Sequence, residues 1–342
     1  MASTVYCART EVMVEYYRKR RRYSVVVAQR FCKPLVGGSN PSAGSSLLQF
    51  RTITNLWYNS AVMPIPEDIA RLFPKRPIDL HKRRAGVVSI VGGSEHFVHA
   101  PVIAALGARA GGAGLIQLVA PEASRAAAGM LVPEATFFKR TPKCALPGAD
   151  AIAVGMGLGI SRESELFLSR ILSAGKGRFV VDADALNIIA RRHAGRKTAA
   201  DALAGQEAIL TPHAGEAARL LAATSEDVDR DRNAAVRAIA ERYNAVAILK
   251  GHHTLVAAPG RKGIFKCKAG NPFMALGGMG DLLSGIVAAR WAGTGDAFNA
   301  ACAAVWLHAA ASDSLVFTNP PKDPSVANTA KAASSLRVLL ER

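Results

Sequence analysis

From position 63 onward the chain alternates two kinds of apolar pattern. Short apolar runs with β-branched residues lie at 86–91, 115–120, 151–154, 179–181, 208–210 and 246–249. Runs this short, with no polar alternation, suit strands buried on both faces of a parallel sheet. Between them, apolar positions recur at helical spacing over 101–110, 164–173, 185–192, 215–223 and 227–243. Residues 254–266 read as a β-hairpin with Pro259-Gly260 in its turn, and a long helical half follows from Asp281. The alternation predicts an α/β fold with a central, mostly parallel sheet and helices on both faces. No repeat or linker follows Met63, so residues 63–342 are expected to form one domain. In such sheets ligands bind outside the carboxyl ends of the strands. Polar motifs that directly follow the apolar runs are therefore the candidates for chemistry.

Residues 1–62 share none of this periodicity. They contain a basic cluster at 18–22 and a Ser/Gly-rich stretch at 37–46. One reading is an organellar transit peptide, Arg- and Ser-rich and poor in acids; another is a disordered basic tail. A third is favoured. Gly38-Ser39-Asn40-Pro41 is what GGT-TCG-AAT-CCN encodes, the common T-arm sequence of transfer-RNA genes, so 25–46 resembles such a gene read as protein upstream of a start set too early. Met63 is then the expected start, and 1–62 an extension outside the working protein.

Composition narrows the class. Half of the 342 residues are hydrophobic and a fifth are charged, enough for a sizeable core. Aromatics are sparse and Ala and Gly abundant, so elements should approach closely through small side chains. The net charge of +17 invites a nucleic-acid reading, but residues 1–62 hold nine Lys and Arg against only Glu11 and Glu15. The remaining +10 is scattered without interleaved aromatics, which argues against nucleic acid and for an anionic small molecule. Cys7, Cys32, Cys144, Cys267 and Cys302 form no CxxC pair. Neither a disulfide framework nor a zinc site is expected, and a reducing, cytoplasmic compartment fits. No apolar run reaches membrane-spanning length.

The strongest motif is Asn271-Pro272-Phe273-Met274-Ala275-Leu276-Gly277-Gly278-Met279-Gly280-Asp281, running into a helix marked by Leu282, Leu283, Ile286 and Val287. Glycines before a helix free backbone N–H groups to converge, and the helix dipole adds positive potential, so Gly278, Met279 and Gly280 form a candidate anion hole. Asp281 beside it could take a proton from a hydroxyl; the plainer account makes it a helix N-cap. Lys250-Gly251-His252-His253-Thr254 follows a strand, where the lysine could reach a phosphate. His252 and His253 are too close in sequence to share a face, so no metal ligand is assigned. Thr211-Pro212-His213-Ala214-Gly215-Glu216 forms a sharp strand-to-helix turn that could aim His213 into the cleft, or simply use Thr211 and Glu216 as caps. Asp182 and Asp184 could organise magnesium, position loops or cap a helix. Gly92-Gly93-Ser94 with Ala100-Pro101, and Gly155-Met156-Gly157-Leu158-Gly159, are glycine turns that permit close approach. His308 reads as a satisfied core histidine.

In this order and combination, these motifs resemble the ADP-dependent NAD(P)H-hydrate dehydratase family of the ribokinase-like superfamily. The similarity runs over about 82–315. It implies that a nucleoside diphosphate (ADP, or ATP as alternative donor) phosphorylates the hydroxyl of hydrated NADH or NADPH. Loss of phosphate then restores the dihydropyridine, a hydro-lyase reaction of nucleotide repair. Carried over by position, Lys250, Gly251, His252, His253, Thr254 and Gly280 meet the adenine nucleotide. Asp281 is the base and contacts substrate; Ala100, Gly157 and His213 line the dinucleotide pocket; Mg2+ screens the phosphates. A homo-oligomer is also implied. Met279 stands where Ser or Thr is usual, Met156 where proline is usual, and His99 where glycine is usual. The epimerase domain often fused ahead of this one is not expected, too little chain preceding Met63. Two other readings remain: a small-molecule kinase of the same superfamily, and a nucleotide-binding regulator without turnover.

Overall fold

The computed structural model describes residues 65–174, 176–193 and 200–342. The expectations for 1–62, for the start at Met63 and for Cys7 and Cys32 lie outside the described residues. In chain order the elements are α1 (Glu67–Ala70), β1 (Val87–Val91), α2 (Ala100–Gly111), β2 (Leu115–Ala120), α3 (Arg125–Leu131), β3 (Thr136–Lys139), β4 (Ala151–Val154), α4 (Arg162–Leu172), β5 (Arg178–Val181) and α5 (Ala183–His193). There follow β6 (Glu207–Leu210), α6 (Ala214–Leu221), α7 (Ser225–Arg230), α8 (Arg232–Tyr243), β7 (Val246–Leu249), β8 (Leu255–Ala257), β9 (Phe265–Lys266), α9 (Met279–Thr294), α10 (Ala297–Val316) and α11 (Val326–Glu341).

Among the described residues the strands form one nine-stranded sheet in the order β3-β2-β1-β4-β5-β6-β7-β8-β9. Pairing is parallel from β3 to β7 and antiparallel for β7–β8 and β8–β9. All six strands expected from the apolar runs are present, and so is the hairpin, with a longer loop between its arms. β3 was not expected: its Thr-Phe-Phe-Lys is largely exposed at the sheet edge and carries no buried run. The single helix expected over 227–243 is two. The chain breaks at Asp231 (φ −141°, ψ 80°), whose side chain accepts from the Ala234 N–H and caps α8.

β1 is buried along its whole length, as a strand covered on both faces must be. On one face Val91, Val154, Val181, Leu210 and Leu249 pack with Phe167, Leu186, Leu220 and Ile239 of α4, α5, α6 and α8. The other face carries α2, α9 and α10. There the small residues bring backbones into near contact, as the composition implied: a Cβ on Gly285 of α9 would lie 1.8 Å from the Ala104 carbonyl oxygen of α2. One on Gly107 would lie 2.1 Å from the Leu282 carbonyl oxygen. Gly285→Ala is therefore expected to destabilise the protein by about 1–3 kcal/mol, since it overpacks against backbone that has nowhere to move. A lowered urea midpoint checks this; an unchanged midpoint would show that the helices spread at no cost.

Because β1, β4, β5, β6 and β7 run parallel, Gly92, Gly155, Asp182, Thr211 and Lys250 all emerge at one edge of the sheet. Among the described residues no helix is long and apolar enough to cross a membrane.

Candidate active site

Asp182 is the hub of that edge. It follows β5, is 1% exposed, and both its carboxylate oxygens are engaged. Lys250 Nζ donates to Oδ1 at 2.7 Å and Ser284 Oγ to Oδ2 at 2.7 Å. One carboxylate thus ties the end of β7 to α9, one turn beyond Asp281. Asp184 accepts from the Gly159 N–H at 2.8 Å. Both carboxylates position neighbouring segments, Asp184 by bonding the turn that follows β4. Gly155 has φ +122°, and a Cβ there would lie 1.9 Å from the Asp182 carbonyl oxygen. That contact explains a glycine at this turn.

Lys250 is held from several sides. Its N–H donates to Pro212 O at 2.8 Å, and its ammonium lies 3.8 Å from Glu216. Burial alone would lower its pKa, but the carboxylates of Asp182, Glu216 and Asp281 outweigh that and raise it, so the amine is charged. Gly280 adjoins it, a Cβ there falling 3.4 Å from Lys250 Nζ.

The N-terminus of α9 completes the centre. Its N-cap is Gly278 in the left-handed region (φ 91°), with no side-chain cap. Asp281 is consequently not the N-cap; it sits in the first turn, where the dipole favours negative charge. Gly280 and Asp281 present N–H groups that no intrahelical carbonyl can reach. Met279 contributes less than the anion-hole reading assumed: its N–H points to Leu276 O at 3.4 Å and its side chain is buried. Burial pushes the Asp281 carboxyl up to about 7; neighbouring Asp182 reinforces this, Lys250 opposes it, and Asp184 and Glu216 add to it. A carboxylate with that affinity for a proton is poised to act as a general base near neutral pH.

On the substrate side, Gly157 (φ +61°) and Ala100 are brought together, a Cβ on Gly157 falling 3.2 Å from that of Ala100. Ile103, one turn along α2, touches the Gly278 position. His213 is itself the N-cap of α6, correcting the alternative that gave Thr211 this role. Its Nδ1 accepts from Gly215 N–H at 3.0 Å, and Glu216 accepts from His213 N–H at 2.8 Å. Thr211 Oγ1 instead bonds back to Val181 O. His213 Nε2 lies 3.3 Å from Glu216, so one carboxylate bridges His213 and Lys250.

The turn after Lys250 carries Gly251, His252, His253 and Thr254. Arg232, not singled out in the sequence, secures it by donating to Leu249 O at 3.2 Å and Lys250 O at 3.1 Å. Thr254 Oγ1 bonds Gly251 O, and His253 Nδ1 pairs with Cys267 O. The His252 and His253 rings lie 3.9 Å apart, tilted by 41°. Among the described residues no group of three or more His, Cys, Asp or Glu converges as a metal-ligand set.

Ser284 carries no local signal of its role. Its spacing of three from Asp281 placed it on the same helix face, but nothing local identified Asp182 as its partner. His308 is buried on α10 as expected, yet it is not satisfied: Nε2 finds no partner among the described residues. Burial, with help from Lys250, lowers its pKa to about 4 and keeps it neutral.

The sequence profile described as NAD(P)H-hydrate dehydratase matches residues 88–330. An ADP-dependent (S)-NAD(P)H-hydrate dehydratase of Neisseria meningitidis is 40% identical over 254 residues, covering 71% of this chain and 81% of that one. The bifunctional NAD(P)H-hydrate repair enzyme Nnr of Escherichia coli is 36% identical over 255 residues, 71% of this chain and 46% of that one. The chain thus spans about half the length of its bifunctional relatives. Among solved structures, the ADP/ATP-dependent NAD(P)H-hydrate dehydratase from Bacillus subtilis co-crystallized with ATP/Mg2+ superposes with a TM-score of 0.69 at 24% identity. That superposition covers 81% of this chain and 100% of that one, and shows a shared ribokinase-like fold. With the profile spanning most of its length and 40% identity to the Neisseria enzyme, the chain belongs to the NAD(P)H-hydrate dehydratase family.

Proposed function

We propose that this protein restores the S epimer of hydrated NAD(P)H to NAD(P)H at the expense of ADP, releasing AMP and phosphate. The observation that carries the reading is the placement of Asp281. A carboxyl with a pKa near 7 stands at an uncapped helix N-terminus beside the charged Lys250, where five strand ends meet. The catalytic unit in this reading is residues 63–342.

Hydrated dinucleotide enters along Ala100, Gly157 and His213 with its ring hydroxyl at Asp281. The adenine nucleotide lies along Lys250, Gly251, His252, His253, Thr254 and Gly280, with its phosphates facing the N–H groups of α9. Asp281 takes the hydroxyl proton as the oxygen attacks the terminal phosphorus of ADP, and the bond to AMP breaks. Gly280 N–H and the helix dipole stabilise the charge on the transferring group, and Lys250 neutralises phosphate. The phosphorylated carbon then loses phosphate with its electron pair. A proton leaves the neighbouring carbon, the ring double bond forms, and the hydration oxygen departs within inorganic phosphate. Mg2+ held by the nucleotide would screen the phosphate charge. The free thiols of Cys144, Cys267 and Cys302 support a reducing compartment such as the cytoplasm.

Adding ADP or ATP to purified protein with hydrated NADH tests the proposal. Reduced-nicotinamide absorbance should recover, with one nucleotide cleaved per dinucleotide restored. No recovery with either donor, or a stable phosphorylated product, would overturn it.

A further inference from the structure

A cavity of about 530 Å³ opens between α5 and α6, lined by Ile160, Asn187, Ala190, Arg191, Arg219 and Ala222. Its floor is apolar, and includes Ile160, a large hydrophobic residue left 54% exposed. Its rim is basic and poorly compensated. Arg219 Nε donates to Asn187 Oδ1 at 2.8 Å, and no carboxylate pairs with Arg219 among the described residues. Arg191 shares the single carboxylate of Glu165 with Arg162 and Arg192. An apolar floor under guanidinium groups short of carboxylate partners suits a nucleoside phosphate, the base on the floor and the phosphate at the arginines.

The cavity is formed by segments that also carry the substrate side of the site. Ile160 follows Gly157 and Gly159, and Gly159 is bonded to Asp184 at the start of α5. Arg219 lies on the helix that His213 caps, and its Nη1 would stand 3.9 Å from a Cβ on Gly215. Arg191 is eight residues beyond Ala183, about 12 Å along α5 at 1.5 Å per residue. The turn after Lys250 follows β7, on the other side of β6 from α5.

We propose that this cavity takes the adenosine half of the hydrated dinucleotide, with Arg219 and Arg191 holding a phosphate of that half. The inference rests on the dehydratase reading and extends it to substrate recognition. A hydrated nicotinamide mononucleotide lacks the adenosine half and serves as the contrast.

Steady-state kinetics of Arg219→Gln test it. KM for hydrated NADH should rise about tenfold, the worth of one charge-assisted hydrogen bond. kcat should stay within about twofold and KM for ADP unchanged, since only ground-state binding is lost. The mononucleotide hydrate should show no difference between wild type and variant. A larger rise with hydrated NADPH than with hydrated NADH assigns Arg219 to the 2′-phosphate; equal rises assign it to the pyrophosphate. Ile160→Glu, at an exposed position, should raise the same KM by placing negative charge on the floor. An unchanged KM for both dinucleotides in both variants would overturn the inference, as would an equal loss with the mononucleotide or a rise confined to ADP. Wild-type protein that restores no NADH would instead remove the dehydratase reading on which it stands.

Discussion

Asp281→Asn is expected to lower turnover by a factor of about 10²–10⁴, the range spanned by a positioned general base, while making the folded protein more stable above neutral pH. The rate effect follows from geometry, because Asp281 is the acidic residue in the first turn of α9. In the wild type, kcat/KM should climb as pH rises through about 7, where Asp281 gives up its proton. The variant should lose that limb. The stability effect has the opposite sign. The Asp281 carboxyl ionises near its ordinary value of 3.8 in the unfolded chain, but burial and Asp182 raise it to about 7 when folded. Between those values the unfolded chain has released a proton that the native state still holds. Stability therefore declines as pH rises from about 4 to 7, by up to about 4 kcal/mol when the full shift is converted at 1.36 kcal/mol per unit. Asparagine carries no such penalty. Urea unfolding at pH 8 should favour the variant, and the two proteins should converge below pH 4. A variant that keeps a tenth of the activity, or unfolds more easily than wild type at pH 8, would refute this account of Asp281.

Asp182→Ala should cost about 3–5 kcal/mol of stability, because it strips one partner from a buried ion pair. Lys250 would retain Glu216 at 3.8 Å, and Ser284 Oγ would lose its acceptor in a fully buried position. The same substitution should weaken catalysis by freeing Lys250 from its place beside Gly280. Asp182→Asn separates the two effects. It keeps the shape and a hydrogen bond to Ser284 while removing the charge that most strongly reinforces the raised pKa of Asp281. Its lower pH limb should therefore move below 7, with a smaller loss of stability. An unshifted limb in Asp182→Asn would show that the charge of Asp182 does not contribute to the affinity of Asp281 for its proton. An unchanged urea midpoint in Asp182→Ala would show that the Lys250 pair contributes nothing net.

Much of this site was legible in the chain because the chemistry sits at strand ends. Gly92, Gly155, Asp182, Thr211 and Lys250 each follow an apolar run, and parallel pairing brings all such ends to one edge. The helix beginning beside Asp281 was equally visible in the spacing of Leu282, Leu283, Ile286 and Val287. What escaped has a common physical character. β3 is short and exposed at a sheet edge, so no buried run betrays it. The break at Asp231 rests on one residue leaving helical geometry between two segments that each look helical. The place of Met279 in the loop suggests a share in the anion hole, while the direction of its N–H is set by the turn at Leu276.

The order of buried runs and helical stretches by itself determined an α/β sheet with its polar motifs at one edge, because a buried parallel strand is written mainly in apolar residues and must exit at the same end as its neighbours. The glycine-rich approach to Asp281 likewise determined a helix N-terminus beside a carboxylate. Only the tertiary structure decided what those groups do to one another. Asp182 and Lys250 are 68 positions apart, and Asp182 and Ser284 are 102 apart; no local pattern encodes such pairs. The proton affinity of Asp281 arises from burial and from charges on three other segments. Burial and electrostatic coupling depend on distance in space, and the sheet supplies that distance only once it has folded.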